Sequence, residues 1–290
     1  MRQKLRTAAA VVGILGLSAA PSATAEEGMW TFDNFPADRM RAEMGWAPDQ
    51  AWLDRVMTGT ARLPGCSASN VSEAGLVLTN HHCVITCVSA VSTTDNNYVE
   101  NGFMARVREA ELRCPNMSID VLTAIRDVTG TISAATAGVA AEGFAPARDA
   151  EFARLTDECT TSETRCEVVT LYQGGRYGLY QYRRYSDVRL VFAPEHAMAA
   201  FGGEPDNFSF PRYGLDFSFL RLYDNGQPAV TPGHLDMRFT PPAEDEIVLI
   251  AGNPGRTSRL RTTAEFAFER DVNLPWQIAM LSELRGRLIA

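Results

Sequence analysis

The chain has 290 residues, 46% of them hydrophobic and 21% charged, which excludes a disordered or fibrous protein and leaves ample material for a buried core. Residues 1–25 have the three parts of a secretory signal: Arg2, Lys4 and Arg6, an apolar run from Ala8 to Ala20, and Ala23-Thr24-Ala25 before the cleavage point. Cleavage there removes three cations and no acid, moving the net charge from −8 to −11, which argues against a nucleic-acid partner because phosphate binding needs a basic face. The signal run is too short to span a bilayer, and no later stretch reaches the ~18 apolar residues of a membrane helix. A protein released into the periplasm or beyond is expected, with no membrane attachment after cleavage.

From Pro36 to Met57 the apolar residues recur at helical spacing, and Pro48 divides the segment into two short helices. Short β-rich runs follow from Ala61 to Thr79, with a turn at Ser72 to Gly75. Met117 to Val128 reads as a strand pair and Ala145 to Glu158 as a helix. Cys166 to Tyr172, Tyr177 to Tyr182 and Val188 to Phe192 read as successive strands. Leu215 to Tyr223 is a further strand ending in Asp224-Asn225-Gly226, whose Asn-Gly step is a strong hairpin signal. Glu246 to Ala251 reads as a buried strand, and from Thr262 to Ala290 the pattern turns helical. This divides the chain into a signal (1–25), a strand-rich body (26–261) and the start of a helical domain (262–290).

Six cysteines (Cys66, Cys83, Cys87, Cys114, Cys159 and Cys166) in an exported chain suit disulfides, though spacing alone leaves many pairings open. Only Cys83 and Cys87 approach zinc-ligand spacing and no second pair matches them, so no metal is expected. Two strings carry chemistry. The first is Leu78-Thr79-Asn80-His81-His82-Cys83 at the end of an apolar run. If the strand continues, adjacent side chains face opposite ways, so His81 and His82 do different jobs. A rigidly held imidazole that titrates near neutral pH suits a general base, although a lone histidine is more often structural. The second string runs from Gly202 to Phe219 and sets Asp216 at the mouth of a strand, with Phe217 and Phe219 expected to face the core. Asp216 could orient an imidazole or simply cap a turn, and Asp206-Asn207 could form an Asx-turn.

The order Cys66…His82-Cys83 resembles chymotrypsin-like serine peptidases, whose catalytic histidine directly precedes a disulfide cysteine. Longer matches resemble the S46 dipeptidyl-peptidases: Glu27-Gly28-Met29-Trp30, Gly75 to Cys83, Gly202 to Phe219, and Gly252-Asn253-Pro254-Gly255-Arg256-Thr257. The resemblance implies a mainly β fold, the first barrel of a chymotrypsin-like double β-barrel followed by the start of an inserted helical domain. It implies a serine-type enzyme releasing N-terminal dipeptides from oligopeptides, with His82 and Asp216 as two members of the triad. It further implies that Asn207 and Phe208 hold the substrate's free amine, with Phe208 standing where the family usually carries tryptophan. No cofactor is implied, and a homodimer of the full-length enzyme is compatible with it. The family's serine lies in a second barrel beyond Ala290, and no G-x-S-x-G or G-D-S-G string occurs in this chain. By the same resemblance Cys66 pairs with Cys83; the short interval from Cys159 to Cys166 suggests that pair, leaving Cys87 with Cys114. Two other readings are a catalytically inactive secreted peptide-binding or interaction module and half of a trypsin-like endopeptidase, the latter disfavoured by an amine clamp that would block an open cleft.

Overall fold

Among the described residues, eleven strands form one antiparallel sheet. The structure is a computed structural model describing residues 29–200, 210–211, 213–253 and 261–289. After a 3₁₀ turn at Phe32–Asn34, the described residues continue with two short helices. Helix α1 (Ala37–Met44) stops at Gly45, whose φ of 71° is left-handed, and α2 (Gln50–Gly59) begins where the Asp49 side chain accepts the Trp52 N–H at 2.8 Å. Strands β1 (Thr60–Leu63), β2 (Cys66–Asn70) and β3 (Leu76–Thr79) form a meander, then helices α3 (His81–Val91) and α4 (Tyr98–Asn101). Short strands β4 (Phe103–Met104) and β5 (Leu112–Arg113) precede the long β6 (Ile119–Asp127). Helices α5 (Thr129–Thr136) and α6 (Ala141–Cys159) lead into β7 (Thr164–Leu171), β8 (Arg176–Tyr185) and β9 (Asp187–Ala193). After α7 (His196–Ala199) come β10 (Ser218–Asp224) and β11 (Gln227–Pro228), and the chain closes with α8 (Thr263–Phe268), one π-helical segment (Glu269–Asn273) and α9 (Leu274–Ile289).

The strand order is β4-β9-β10-β3-β2-β1-β6-β8-β7, with β5 also on β9 and β11 on β10. Four strands separate β10 from β8 in that ladder, yet Arg183 of β8 and Asp224 of β10 form an ion pair at 2.6 Å. The sheet therefore rolls back on itself. Inside the roll, Leu63, Val77, Val88, Ile119, Val188, Leu190, Leu220 and Leu222 are each 1% exposed or less. Burying a side chain of this size is worth about 1.5–3 kcal/mol, so this cluster supplies the main drive for folding. A smaller cluster (Ile132, Leu155, Tyr177, Leu179) lies beneath α5 and α6, beside the Cys159–Cys166 bridge.

The Asn225-Gly226 hairpin forms with φ of 49° and 77° at the two central residues, as the tight two-residue turn requires. Three expectations are corrected. Residues 117–128 contain one long strand, β6, rather than a pair, because both its edges are occupied by neighbours, β1 and β8. Residues 246–251 form no strand, and Val248 and Ile250 are exposed: an apolar run becomes a strand only beside a partner for its N–H and C=O groups, and none of the described residues supplies one. The core face of β10 is Ser218, Leu220 and Leu222; Phe217 and Phe219 are half-buried on the other face, where both rings pack on Phe192 at 5.4 and 6.4 Å.

Candidate active site

The register between β3 and β10 assembles the site. Ser218 lies opposite Thr79 and Leu220 opposite Val77. In an antiparallel pair, the chain leaving β3 at Asn80 must then run beside the chain entering β10 at Asp216. Strand β3 does not continue: α3 begins at His81. Its start could have been read from Asn80, a favoured N-cap residue, followed by Val84, Cys87 and Val88 at helical intervals from His81. Successive residues on a helix differ by about 100° in direction, so His81 turns inward and is 1% exposed while the His82 side chain is 68% exposed. The two histidines thus have different surroundings because of helical geometry, not the strand alternation expected from the sequence.

Asp216 meets His82 twice. Its Oδ1 accepts the His82 backbone N–H at 3.0 Å, and its Oδ2 lies 2.7 Å from the ring Nδ1. Asn80 uses its side chain on the same residue, with Nδ2 donating to the Asp216 carbonyl at 3.0 Å and to Oδ2 at 3.3 Å. The carboxylate therefore satisfies one of the unpaired N–H groups at the start of α3 and sits where the helix dipole favours negative charge. Burial pushes the Asp216 carboxyl up, but the His82 backbone and ring and the Asn80 amide outweigh it and hold the group below the usual carboxylate range. A carboxylate only accepts hydrogen bonds, so Nδ1 carries the proton and Nε2 is left with its lone pair. An exposed imidazole in that tautomer can take a proton from a hydroxyl and return it to a leaving group.

The bridge Cys66–Cys83 ties this point to β2, with the Cα atoms 6.2 Å apart. Both sulfurs lie within 4.8 Å of a His82 ring nitrogen, but as a disulfide they present no thiolate to a metal. The other bridges are Cys87–Cys114, between α3 and the segment before β6, and Cys159–Cys166. His81 packs away from Asp216, with its Nδ1 3.3 Å from the Ser218 Oγ. That pairing has no signature in the sequence, since it depends on which face of β10 turns inward. Asn207 and Phe208, expected to hold the substrate amine, lie outside the described residues. Of the Gly252 to Thr257 string, Asn253 is described and docks on the sheet, its N–H donating to Ser67 Oγ at 2.7 Å and its Nδ2 to the Ala61 carbonyl at 3.3 Å.

The chain is similar to several known proteins. An Asp/Glu-specific dipeptidyl-peptidase of Shewanella putrefaciens is 30% identical over 272 residues, which are 88% of this chain and 37% of that protein. Dipeptidyl-peptidase 7 of Porphyromonas gingivalis is 30% identical over 285 residues, 91% of this chain and 40% of its own length. The crystal structure of Porphyromonas endodontalis DPP11 with the dipeptide Arg-Asp superposes with a TM-score of 0.61 at 27% identity, covering 71% of this chain and 32% of that one. The chain thus spans well under half the length of these relatives. The family model for peptidase S46 matches residues 25–290, and the chain belongs to that family.

Proposed function

We propose that these residues form the base-bearing part of a serine-type dipeptidyl-peptidase that releases N-terminal dipeptides from oligopeptides. The observation that carries the reading is the exposed His82 imidazole held through Nδ1 by Asp216 at 2.7 Å. In this reading His82 deprotonates a serine hydroxyl and later protonates the leaving amine, and Asp216 keeps the tautomer and stabilises the imidazolium between those steps. In this reading the serine is supplied by a second barrel docked against the exposed face around His82. The rolled sheet, with Arg183 reaching Asp224, supports its assignment as the first barrel of a chymotrypsin-like pair. The relatives' names as dipeptidyl-peptidases support the reaction class. Asn207 and Phe208 take the substrate's free amine, and the signal at residues 1–25 directs the protein to the periplasm. No helix among the described residues is long and apolar enough to cross a membrane.

The test is dipeptide release from peptides with free N-termini by the protein extended through the second barrel, with and without His82→Ala. A fall of about 10³–10⁴ or more is expected, since the base acts with the nucleophile as a unit. Unchanged release by the variant would rule out His82 as the base.

A further inference from the structure

A second imidazole lies directly behind the first. His81 is 1% exposed, and its Nε2 has no hydrogen-bond partner among the described residues. Burying a polar ring incompletely paired is costly, and a leucine or phenylalanine would fill the space without that penalty. What the ring touches gives it a use. Its Nδ1 meets Ser218 Oγ at 3.3 Å, and Ser218 is itself fully buried, two residues beyond Asp216 at the start of β10. On another side its ring lies 6.0 Å from that of His196, tilted by 41°. His196 begins α7, and the Met198 carbonyl of that helix accepts the Leu215 N–H at 3.0 Å, next to Asp216. One side chain thus joins the first turn of α3, which carries His82, to β10 and α7, whose ends hold Asp216 from two directions.

We propose that His81 is a positioning residue, whose contact with Ser218 holds α3 and β10 in the one register that lets Asp216 fix the tautomer and aim of His82. The role rests on the reading of His82 and Asp216 as base and orienter. Among the described polar side chains at the start of α3, His81 is the one that reaches the buried face of β10 by a hydrogen-bond contact: Asn80 and His82 both bind Asp216 itself, on the exposed side, and Val84 adds only apolar packing in the shared core. Without the inner tie, α3 can pivot about the Cys66–Cys83 bridge, and the 2.7 Å contact at His82 Nδ1 lengthens. An unconstrained histidine side chain in water prefers the Nε2–H tautomer, so loosening this contact moves the proton from Nδ1 to Nε2 and removes the lone pair from the position where a base needs it.

The experiment uses the whole chain labelled with ¹⁵N-histidine, which has only four histidines. Long-range ¹⁵N–¹H spectra at alkaline pH, where imidazoles are neutral, report the tautomer of each ring, and His82→Ala assigns the signal. His82 should be the Nδ1–H form in the wild type. His81→Asn places an amide where Nδ1 was and should keep that form, whereas His81→Leu and Ser218→Ala should raise the Nε2–H form several-fold while circular dichroism stays unchanged. Ser218→Ala removes a single oxygen and keeps the test decisive if the leucine variant does not fold. A folded Ser218→Ala protein with the wild-type His82 tautomer overturns the proposal alone. A wild-type His82 already in the Nε2–H form overturns the base-and-orienter reading, and this proposal with it.

Discussion

Asp216 holds both the backbone and the ring of His82, through Oδ1 at 3.0 Å and Oδ2 at 2.7 Å, so one carboxylate caps a helix and orients the imidazole at its first turn. The two tasks separate by substitution. Asp216→Asn keeps an oxygen for the backbone N–H but loses the charge; Asp216→Ala loses both. In this chain the alanine variant should cost about 1 kcal/mol, as loss of an N-cap does, and the asparagine variant less. Urea denaturation midpoints check the order. If His82 serves as the proposed base, the asparagine variant should still lower kcat by about 10⁴ in a protein that also carries the second barrel, because the carboxylate no longer enforces the tautomer.

The acid side of stability should carry the mark of Asp216. Its carboxyl is held below its ordinary range: burial opposes ionisation, and the His82 N–H, the His82 ring and the Asn80 amide together outweigh it. A depressed carboxyl contributes stability above its unfolded pKa, near 3.9, and loses it as pH falls through the lower folded value. Thermal melts should therefore fall below about pH 4, and more shallowly in Asp216→Asn. Equal acid slopes in the two proteins would contradict this.

His81 titrates in a different window. Burial is the main reason its pKa lies below the ordinary 6.5; the neighbouring His196 and His82 push the same way, and Asp216 opposes them. The unfolded chain binds this proton first, so the contribution is complete above about pH 6.5 and is lost as pH falls toward the lower folded value. The slope of melting temperature in that interval should flatten in His81→Asn, while the steeper loss below about pH 4 persists.

Removing the Cys66–Cys83 bridge with paired serines should cost about 3 kcal/mol for a separation of 17 residues, against about 2 for Cys159–Cys166 with 7. The site should distinguish them as well. The first bridge adjoins His82, so its loss should disturb the His82 signal; the second joins the end of α6 to β7 and should leave that signal unchanged. Denaturation curves and the ¹⁵N-histidine spectrum measure both effects.

The segment from α8 to α9 has no buried residue, and Phe266, Trp276 and Ile278 are among its exposed side chains. It contributes nothing to the rolled core. Deleting residues 262–290 should leave the melting temperature of the sheet nearly unchanged and reduce self-association, since a contiguous exposed apolar surface is what drives it. Sedimentation velocity and thermal melts check the pair of outcomes. A large fall in melting temperature would mean that the helices stabilise the sheet after all.

Local chemistry was legible in the sequence wherever neighbouring residues decide it. The Asn225-Gly226 turn, the break at Pro48 and the strand runs follow from backbone preferences within a few residues, and the structure has them. The histidine pair beside Cys83 and the acid at Asp216 could be singled out because four histidines in 290 residues make an adjacent pair conspicuous. Their union could not be read from local pattern: 134 positions separate them, and only the pairing of Ser218 with Thr79 brings the two chain segments alongside each other. The same register turned Ser218, not Phe217, inward and gave His81 its partner. Residues 246–251 show the converse, an apolar run with the composition of a strand and no described neighbour to make it one. Residue types set what each side chain can do, and long-range strand pairing decides which of them meet, because backbone hydrogen bonds are satisfied between segments and not within them.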